Sequence, residues 1–374
     1  MITPARRRHS QPDFVLIGIV AILLVFGLAM MWSASSVMAE LGQRTHSHLY
    51  FLKRQLVWIG LGCAAMLFFS RYDYNRLREW VWPALFLTML LLVGVLFAPK
   101  IGGSRRWIPL DFFSPQPAEF AKIVLVLFLA DYVDRRKSRV GTFLHGLVLP
   151  MAVVGSALLL IALEPDIGIP ALLFSVSMLV LFIGGIRLKH VLLAGLAFLP
   201  VFIYEIRHSP YRMRRMATFL DPFNKINEGG YQLVQSLLAV GSGGWFGKGL
   251  GQSQLKLLYL PAPHTDFIFP VVCEELGLAG GLAIVWLFSW FLLRGARIAR
   301  SAPNLFGTLL ASGLSFLVVL QAFFNIAMSI GLIPTKGISL PFFSYGGSSM
   351  LVTLAATGIL LNVSKQADFS ERRA

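Results

Sequence analysis

The segment FVLIGIVAILLVFGLAMMW, running from Phe14 to Trp32, decides what kind of protein this is. It is nineteen residues long and carries no charge. At about 1.5 Å of rise per residue, a helix of that length crosses a hydrocarbon core of about 30 Å. Arg6-Arg7-Arg8 stand just before it. A cleaved secretory leader has the same basic start but an apolar core of only about 7–15 residues, so this run is expected to remain as a helix.

Working outward, comparable apolar runs fall near 55–70, 80–98, 118–134, 142–163, 167–186, 189–206, 267–293, 305–333 and 342–363. The expectation is an all-α polytopic integral membrane protein of about ten transmembrane helices, a single transmembrane domain over 1–374. The composition agrees. Hydrophobic residues make up 56% of the 374 and charged residues 14%, with a mean hydropathy of +0.71. A soluble fold needs roughly 25% charged residues to wet its surface.

The net charge of +15 would suggest nucleic acid in a soluble protein, but here the positive-inside tendency of membrane loops accounts for it. No nucleic-acid partner is expected. With the N-terminus inside, roughly 18 Lys and Arg fall in the inner segments and about 7 in the short outer ones. Both termini are therefore expected in the cytoplasm. The long segment 207–266 is expected as a large periplasmic or extracytoplasmic loop folded over the outer face. Within it, 232–240 reads as a short amphipathic helix on the membrane surface. Cys63 and Cys273 lie in apolar runs without metal or redox spacing and read as core residues.

Ionisable side chains in or beside lipid are costly unless paired or wet, so they are the functional candidates. His264-Thr265-Asp266 stands at the outer mouth of the 267–293 span; Thr265 or Asp266 can cap that helix, and Asp266 can equally serve chemistry or a ligand. Glu274 and Glu275 lie further down the same helix, Glu274 within roughly 80° of the direction of Asp266 and Glu275 nearly opposite it. At least one needs a basic or amide partner, for which Lys122, Gln321 and Asn325 are available. Glu119 and Lys122 are an i,i+3 pair on one helical face. They follow Arg105-Arg106-Trp107, which suits an interfacial anchor or a headgroup phosphate contact. Glu164-Pro165-Asp166 reads as a turn, with a divalent cation as the other reading. Gly, Pro and Ser crowd 334–349, a sign of irregular backbone lining a polar cavity.

These groups collect on the outer half. The sequence has no phosphate-binding loop, no nucleophile–His–acid set and no His or Cys metal motif. Arginines at the lipid boundary suit a phosphate-bearing headgroup, and a lone carboxylate among them suits proton abstraction from a hydroxyl. The same parts would serve group transfer from a lipid pyrophosphate or a transporter of such a lipid.

The ordered motifs resemble the SEDS (shape, elongation, division and sporulation) family over nearly the whole chain. They are Arg106-Trp107-Ile108, Gln116-Pro117-Ala118-Glu119 with Lys122, Arg212 and Arg215 before Phe219-Leu220-Asp221-Pro222, and Gly230-Tyr231-Gln232. Then come Gly243-Gly244, Lys256, His264-Thr265-Asp266-Phe267, Glu274-Glu275-Leu276-Gly277, Pro334-Thr335-Lys336-Gly337 and Ser344-Tyr345-Gly346-Gly347. Pro334-Thr335-Lys336-Gly337 looks like the division branch rather than the elongation branch. The chain departs from the family pattern at Glu164 and Ile169, where an amide and a hydroxyl are usual, and Ser114 stands where some members carry a basic residue.

The resemblance implies a SEDS fold, GT-C-like, and a peptidoglycan glycosyltransferase polymerising lipid II at the outer face of the cytoplasmic (inner) membrane, at the division septum. It implies Asp266 as the catalytic carboxylate. Arg106, Arg212, Arg215 and Lys256 become candidates for the phosphates. Lys122, Glu119, Gln232, His264, Thr265, Lys336 and Ser344 become further substrate-binding candidates, with Glu274, Glu275 and Asp166 in support. A divalent cation, magnesium or manganese, could share the work near Asp266. The implied partners are lipid II and the undecaprenyl-pyrophosphate-linked glycan, a class B penicillin-binding protein transpeptidase (FtsI-like) and divisome regulators. A lipid II flippase and a non-catalytic divisome scaffold are the alternatives.

Overall fold

A computed structural model describes residues 11–41, 49–100, 104–110, 114–164, 168–226, 230–254 and 265–367. Among them there are helices and no strands. The helices are α1 (Phe14–Leu41), α2 (Tyr50–Arg71), α3 (Leu77–Val95), α4 (Pro117–Arg135), α5 (Leu149–Leu163), α6 (Gly168–Ile183), α7 (Leu188–Arg207), α8 (Pro210–Leu220), α9 (Tyr231–Ser242), α10 (Ile268–Arg300), α11 (Leu305–Ser329) and α12 (Gly347–Gln366). Each of the ten expected spans coincides with one of them, α8 and α9 being the additional two.

Eight apolar helical segments are long enough to cross a membrane on their own, α5 together with the π-helical turn Leu144–Val148 that leads into it. The other two expected spans differ for physical reasons. At 16 residues α6 is short. α4 carries Glu119, Lys122, Asp131, Asp134 and Arg135, which a lipid-facing helix could not hold. It avoids lipid by lying inside the bundle, where most of its residues are buried against α3, α6, α11 and α12. The outer helices do the opposite. Leu56, Val57, Leu61 and Phe68 on α2, Trp80, Phe86 and Leu90 on α3, and Leu192, Leu196 and Leu199 on α7 are all exposed. Apolar surface on that scale is solvated by lipid tails.

The Asp13 amide donates to Ser364 Oγ at 3.2 Å, so the start of α1 and the end of α12 meet at one end of the bundle, as an even number of crossings requires. Arg294 of α10 closes on Asp13 at the same end, at 2.5 Å. At the opposite end Ser33 of α1 donates to the Glu275 carboxylate of α10 at 2.7 Å. Twenty residues separate the two ties along α1 and nineteen along α10. Helical rise makes both intervals about 30 Å, the thickness of a bilayer's hydrocarbon core. The distance between the two ties thus matches the thickness of that core.

α10 breaks near the Glu275 edge. Gly277 has φ 70 and ψ −168, a backbone region open to glycine alone. The break leaves backbone groups without helical partners, and the loop after α9 supplies them. Lys248 N and Gly249 N donate to Glu274 O and Glu275 O, each at 3.0 Å; Leu278 N and Ala279 N donate to Gly244 O at 2.8 Å and Trp245 O at 3.1 Å. A Cβ on Gly277 would lie 2.4 Å from Gly247 N. Gly277→Ala is therefore expected to cost about 3 kcal/mol or more in stability, read as a lowered melting temperature in detergent.

The 207–266 segment contains α8 and α9. The amphipathic helix is present, but its apolar face does not lie on the membrane surface as expected. Leu233, Val234, Ser236 and Ala239 are buried against the bundle, and Ser236 Oγ donates to Ser329 O of α11 at 2.6 Å.

Candidate functional site

The site forms where the entrance of α10 meets the irregular stretch 330–346. The second half of that stretch is held inside the protein, with Ile338, Leu340, Phe342, Phe343 and Ser344 buried, whereas Leu332 and Gly337 are exposed. Phe342 takes φ 67, uncommon for a residue with a side chain, and packs between Phe288 and Phe291. Gly27 of α1 lets it approach, since a Cβ there would lie 2.3 Å from Phe342 O.

Two side chains fasten this stretch to the segment bearing Asp266. Asn325 of α11 donates to both Asp266 O and Ile338 O, each at 2.7 Å. Ser344 Oγ accepts from Leu340 N at 2.7 Å and donates to Thr265 O at 2.5 Å. The main chain on both sides of Asp266 is thus held from the protein interior. The helix proper begins at Ile268 with Phe267 at the cap position, so neither Thr265 nor Asp266 occupies it, contrary to the capping reading.

The Asp266 carboxylate instead lines a cavity of about 340 Å³ together with Arg106, Trp107, Gln116, Thr265, Gly337 and Tyr345. Its floor is polar. Lys122 Nζ donates to Glu119 Oε1 at 2.7 Å and to Gln321 Oε1 at 2.8 Å, and Gln321 Nε2 donates to Ser339 O at 2.9 Å. Ser339 and Ser349 hydroxyls meet at 2.8 Å. Lys122 thereby balances Glu119, and Arg106 is a cation that lines the cavity beside Asp266. Arg106 is steadied by donating Nε to Glu164 O at 3.1 Å. A Cβ built on Gly337 would lie 3.3 Å from Asp266 Oδ2 and 3.6 Å from Arg106 Nη1, so the two charged groups border one small space that glycine leaves open.

Of the expected site residues, the cavity gathers Asp266, Arg106, Glu119, Lys122 and Thr265. Ser344 does not line it and works through the Thr265 carbonyl. Arg212 does not reach it: its guanidinium pairs with Glu205 and donates to Ala162 O, tying α8 to α7 and α5. Arg215 donates to Thr335 O at 2.9 Å, holding α8 to the Pro334–Gly337 turn. Gln232 sits in the first turn of α9, and the Lys336 amide rests on Met328 Sδ, both away from the lining. Lys256, His264 and Asp166 lie outside the described residues.

Glu274 and Glu275 take partners other than the expected Lys122, Gln321 and Asn325. Glu274 accepts from Lys248 Nζ at 2.8 Å, Ser253 Oγ at 2.6 Å and Gln254 N at 3.1 Å. Glu275 accepts from Ser33 and, at 3.3 Å, from Ser253 N. Both bind the glycine loop to the broken helix. The sequence reading passed over Asn325 and Gln321 as members of the Asp266 site; two amides at i,i+4 in an apolar helix were the available signal.

Among the described residues no group of three or more His, Cys, Asp or Glu could hold a metal ion. The cavity supplies the carboxylates of Asp266 and Glu119, and Glu119 is occupied by Lys122. Among the described residues that leaves the Asp266 carboxylate as the acidic group open to a ligand in the cavity. A larger cavity of about 460 Å³ between α5, α6 and α7 is lined by apolar residues and Glu205, the partner of Arg212.

The chain has relatives along its full length. It is 41% identical to stage V sporulation protein E of Bacillus subtilis, over 97% of this chain and 99% of that one. It is 42% identical to a probable peptidoglycan glycosyltransferase FtsW of Trichlorobacter lovleyi, over 96% and 94%. Among solved structures, a chain from a study of a peptidoglycan synthase complex that coordinates polymerization and crosslinking superposes with a TM-score of 0.77 at 29% identity, over 94% and 97%. The rod shape determining protein RodA of Thermus thermophilus superposes with a TM-score of 0.71 at 27% identity, over 95% and 97%. A family model described as cell cycle protein, spanning FtsW, RodA and SpoVE, matches residues 14–368. With the motifs, the fold and the relatives in agreement, the chain belongs to the FtsW, RodA and SpoVE family of cell cycle proteins, the SEDS family.

Proposed function

We infer that this protein is a peptidoglycan glycosyltransferase that polymerises lipid II at the outer face of the cytoplasmic membrane, with both termini in the cytoplasm, in septal wall synthesis. The observation that carries the reading is the Asp266 carboxylate facing the Arg106 guanidinium across Gly337 in one cavity. The helix from Ile268 to Glu275 rises about 10 Å and Asp266 stands two residues before its start, so the carboxylate lies on the outer side of the Glu275 tie. A lipid-linked sugar presents its pyrophosphate at the headgroups and its saccharide just above, the height of this cavity.

In this reading Asp266 takes the proton from the 4-hydroxyl of the acceptor GlcNAc. That oxygen forms a bond to C1 of the donor MurNAc as the bond from C1 to the phosphate oxygen breaks. The configuration inverts to β-1,4 and undecaprenyl pyrophosphate departs with the electron pair. Arg106 faces the charge growing on the leaving phosphate, where a fixed cation lowers the barrier most. Arg212 and Arg215 act at a distance, by holding α8 on the bundle. No step is routed through a metal ion. The polar lining stops at the Glu119–Lys122–Gln321 layer, which favours chemistry at one face over a path across the bilayer for a flipped lipid.

The test is polymerisation of fluorescent lipid II by the purified chain with its cognate class B transpeptidase. Muramidase-sensitive strands are expected; their absence, with lipid translocation in vesicles, would install the flippase in its place. Gly337→Ala probes the space between the two charges. It is expected to lower the rate about tenfold with an unchanged melting temperature, because the added methyl crowds the space between Asp266 and Arg106 and shifts the carboxylate slightly from its place.

A further inference from the structure

We propose that Trp245 and Phe246 form a finger that docks into the bilayer at the outer edge of the hydrocarbon, making the glycine loop a lipid-anchored element rather than a water-exposed one. The inference does not depend on the chemistry of Asp266.

The finger is unusual for a connecting loop. Trp245 is 72% exposed and Phe246 87%, with Leu250 exposed beside them. Gly244, Gly247, Gly249 and Gly251 all have positive φ, so the chain doubles back tightly and pushes the two aromatic rings outward. The base of the finger cannot shift. A Cβ on Gly243 would lie 1.9 Å from Cys273 O, and one on Gly247 2.1 Å from Glu275 O.

The height of the finger follows from its stitches. Lys248 N and Gly249 N bond to Glu274 O and Glu275 O, and Trp245 O accepts from Ala279 N. Glu275 is the residue tied to Ser33, one edge of the 30 Å interval that Asp13 and Arg294 close at the other end. The aromatic pair therefore stands at the hydrocarbon edge itself. Directly below, Leu278, Leu282 and Trp286 are exposed at steps of four along α10, a lipid-facing stripe that the finger continues upward. Lys248, two residues after Phe246, is paired with Glu274, so among the described residues of the loop its charge is compensated. A ring system with one N–H donor, at this depth, is the composition of interfacial aromatic belts. Lipid is the occupant that matches all of these features.

Spin labelling of the full chain tests it. Cys63 and Cys273 are the two native cysteines. In a Cys63→Ser, Cys273→Ala background, a nitroxide is placed at Phe246→Cys and the protein reconstituted in phosphatidylethanolamine–phosphatidylglycerol nanodiscs. Oxygen is expected to relax the label more than a water-soluble nickel chelate does, as at Leu282→Cys and in contrast to Asn224→Cys. Dominance of the chelate would put the finger in water and overturn the proposal. Shielding from both reagents would mean a protein cover, a second copy or a partner helix, and would overturn it equally. If the cysteine background fails to fold, brominated lipids in the unlabelled protein give the same answer. The fluorescence difference between wild type and Trp245→Phe should be quenched at least twofold, and an unquenched difference counts against the anchor.

Discussion

Asp266→Asn is expected to reduce lipid II polymerisation by about 10²–10⁴-fold while leaving the protein folded, the range lost when a positioned general base is removed. Asparagine has the size of aspartate but cannot accept the acceptor sugar's proton. The ties that fix residue 266 act on its main chain and that of Thr265, through Asn325 and Ser344, so they survive the substitution. Strand length on gels, with the transpeptidase present, measures the effect; a melting curve in detergent checks the fold. A variant that polymerises within threefold of wild type would remove Asp266 from the chemistry.

The two ties also explain why the site could be read in part from sequence. Helix count and placement follow from apolar run length, which depends on nothing beyond the chain itself and the thickness of lipid. Glu119 and Lys122 were legible as a pair because three helical residues put them on one face, and they meet at 2.7 Å. Asp266 stood out as a carboxylate at a span's mouth. What failed were the partners assigned to Arg212, Glu274 and Glu275, which depend on the path of the chain between α7 and α10. Lys248 lies 26 residues before Glu274, and it reaches that carboxylate because α10 breaks at Gly277 and the glycine loop fills the gap. No periodicity reports a break whose vacated hydrogen bonds are supplied from elsewhere. Arg212 looked like a phosphate ligand because basic residues beside a membrane invite that reading, yet Glu205, one turn before the end of α7, stands close enough to claim it. Local spacing transmits helical faces; it does not transmit which of several oppositely charged groups a loop delivers.

Lys122→Met is expected to be the most destabilising single change in the floor of the cavity. Lys122 is 2% exposed and Glu119 7%, and their ion pair is completed by the Gln321 amide oxygen. Removing the ammonium leaves the Glu119 carboxylate buried without its cation, a loss of about 3–5 kcal/mol. Adding Glu119→Gln to Lys122→Met removes that stranded charge, and the double variant should recover most of the lost melting temperature, a coupling of about 1–3 kcal/mol between neighbouring sites. Activity should not return with stability. Glu119 and Lys122 both line the cavity, and Gln321, released from Lys122, loses the contact that orients it toward Ser339 and Ser349. Melting curves and polymerisation rates on the two single variants and the double variant separate these effects. Equal stability in Lys122→Met and the double variant would show that Glu119 is relieved by water or a proton in the single variant. In that case the pairing of Lys122 with Glu119 would not be what keeps the floor of the cavity neutral.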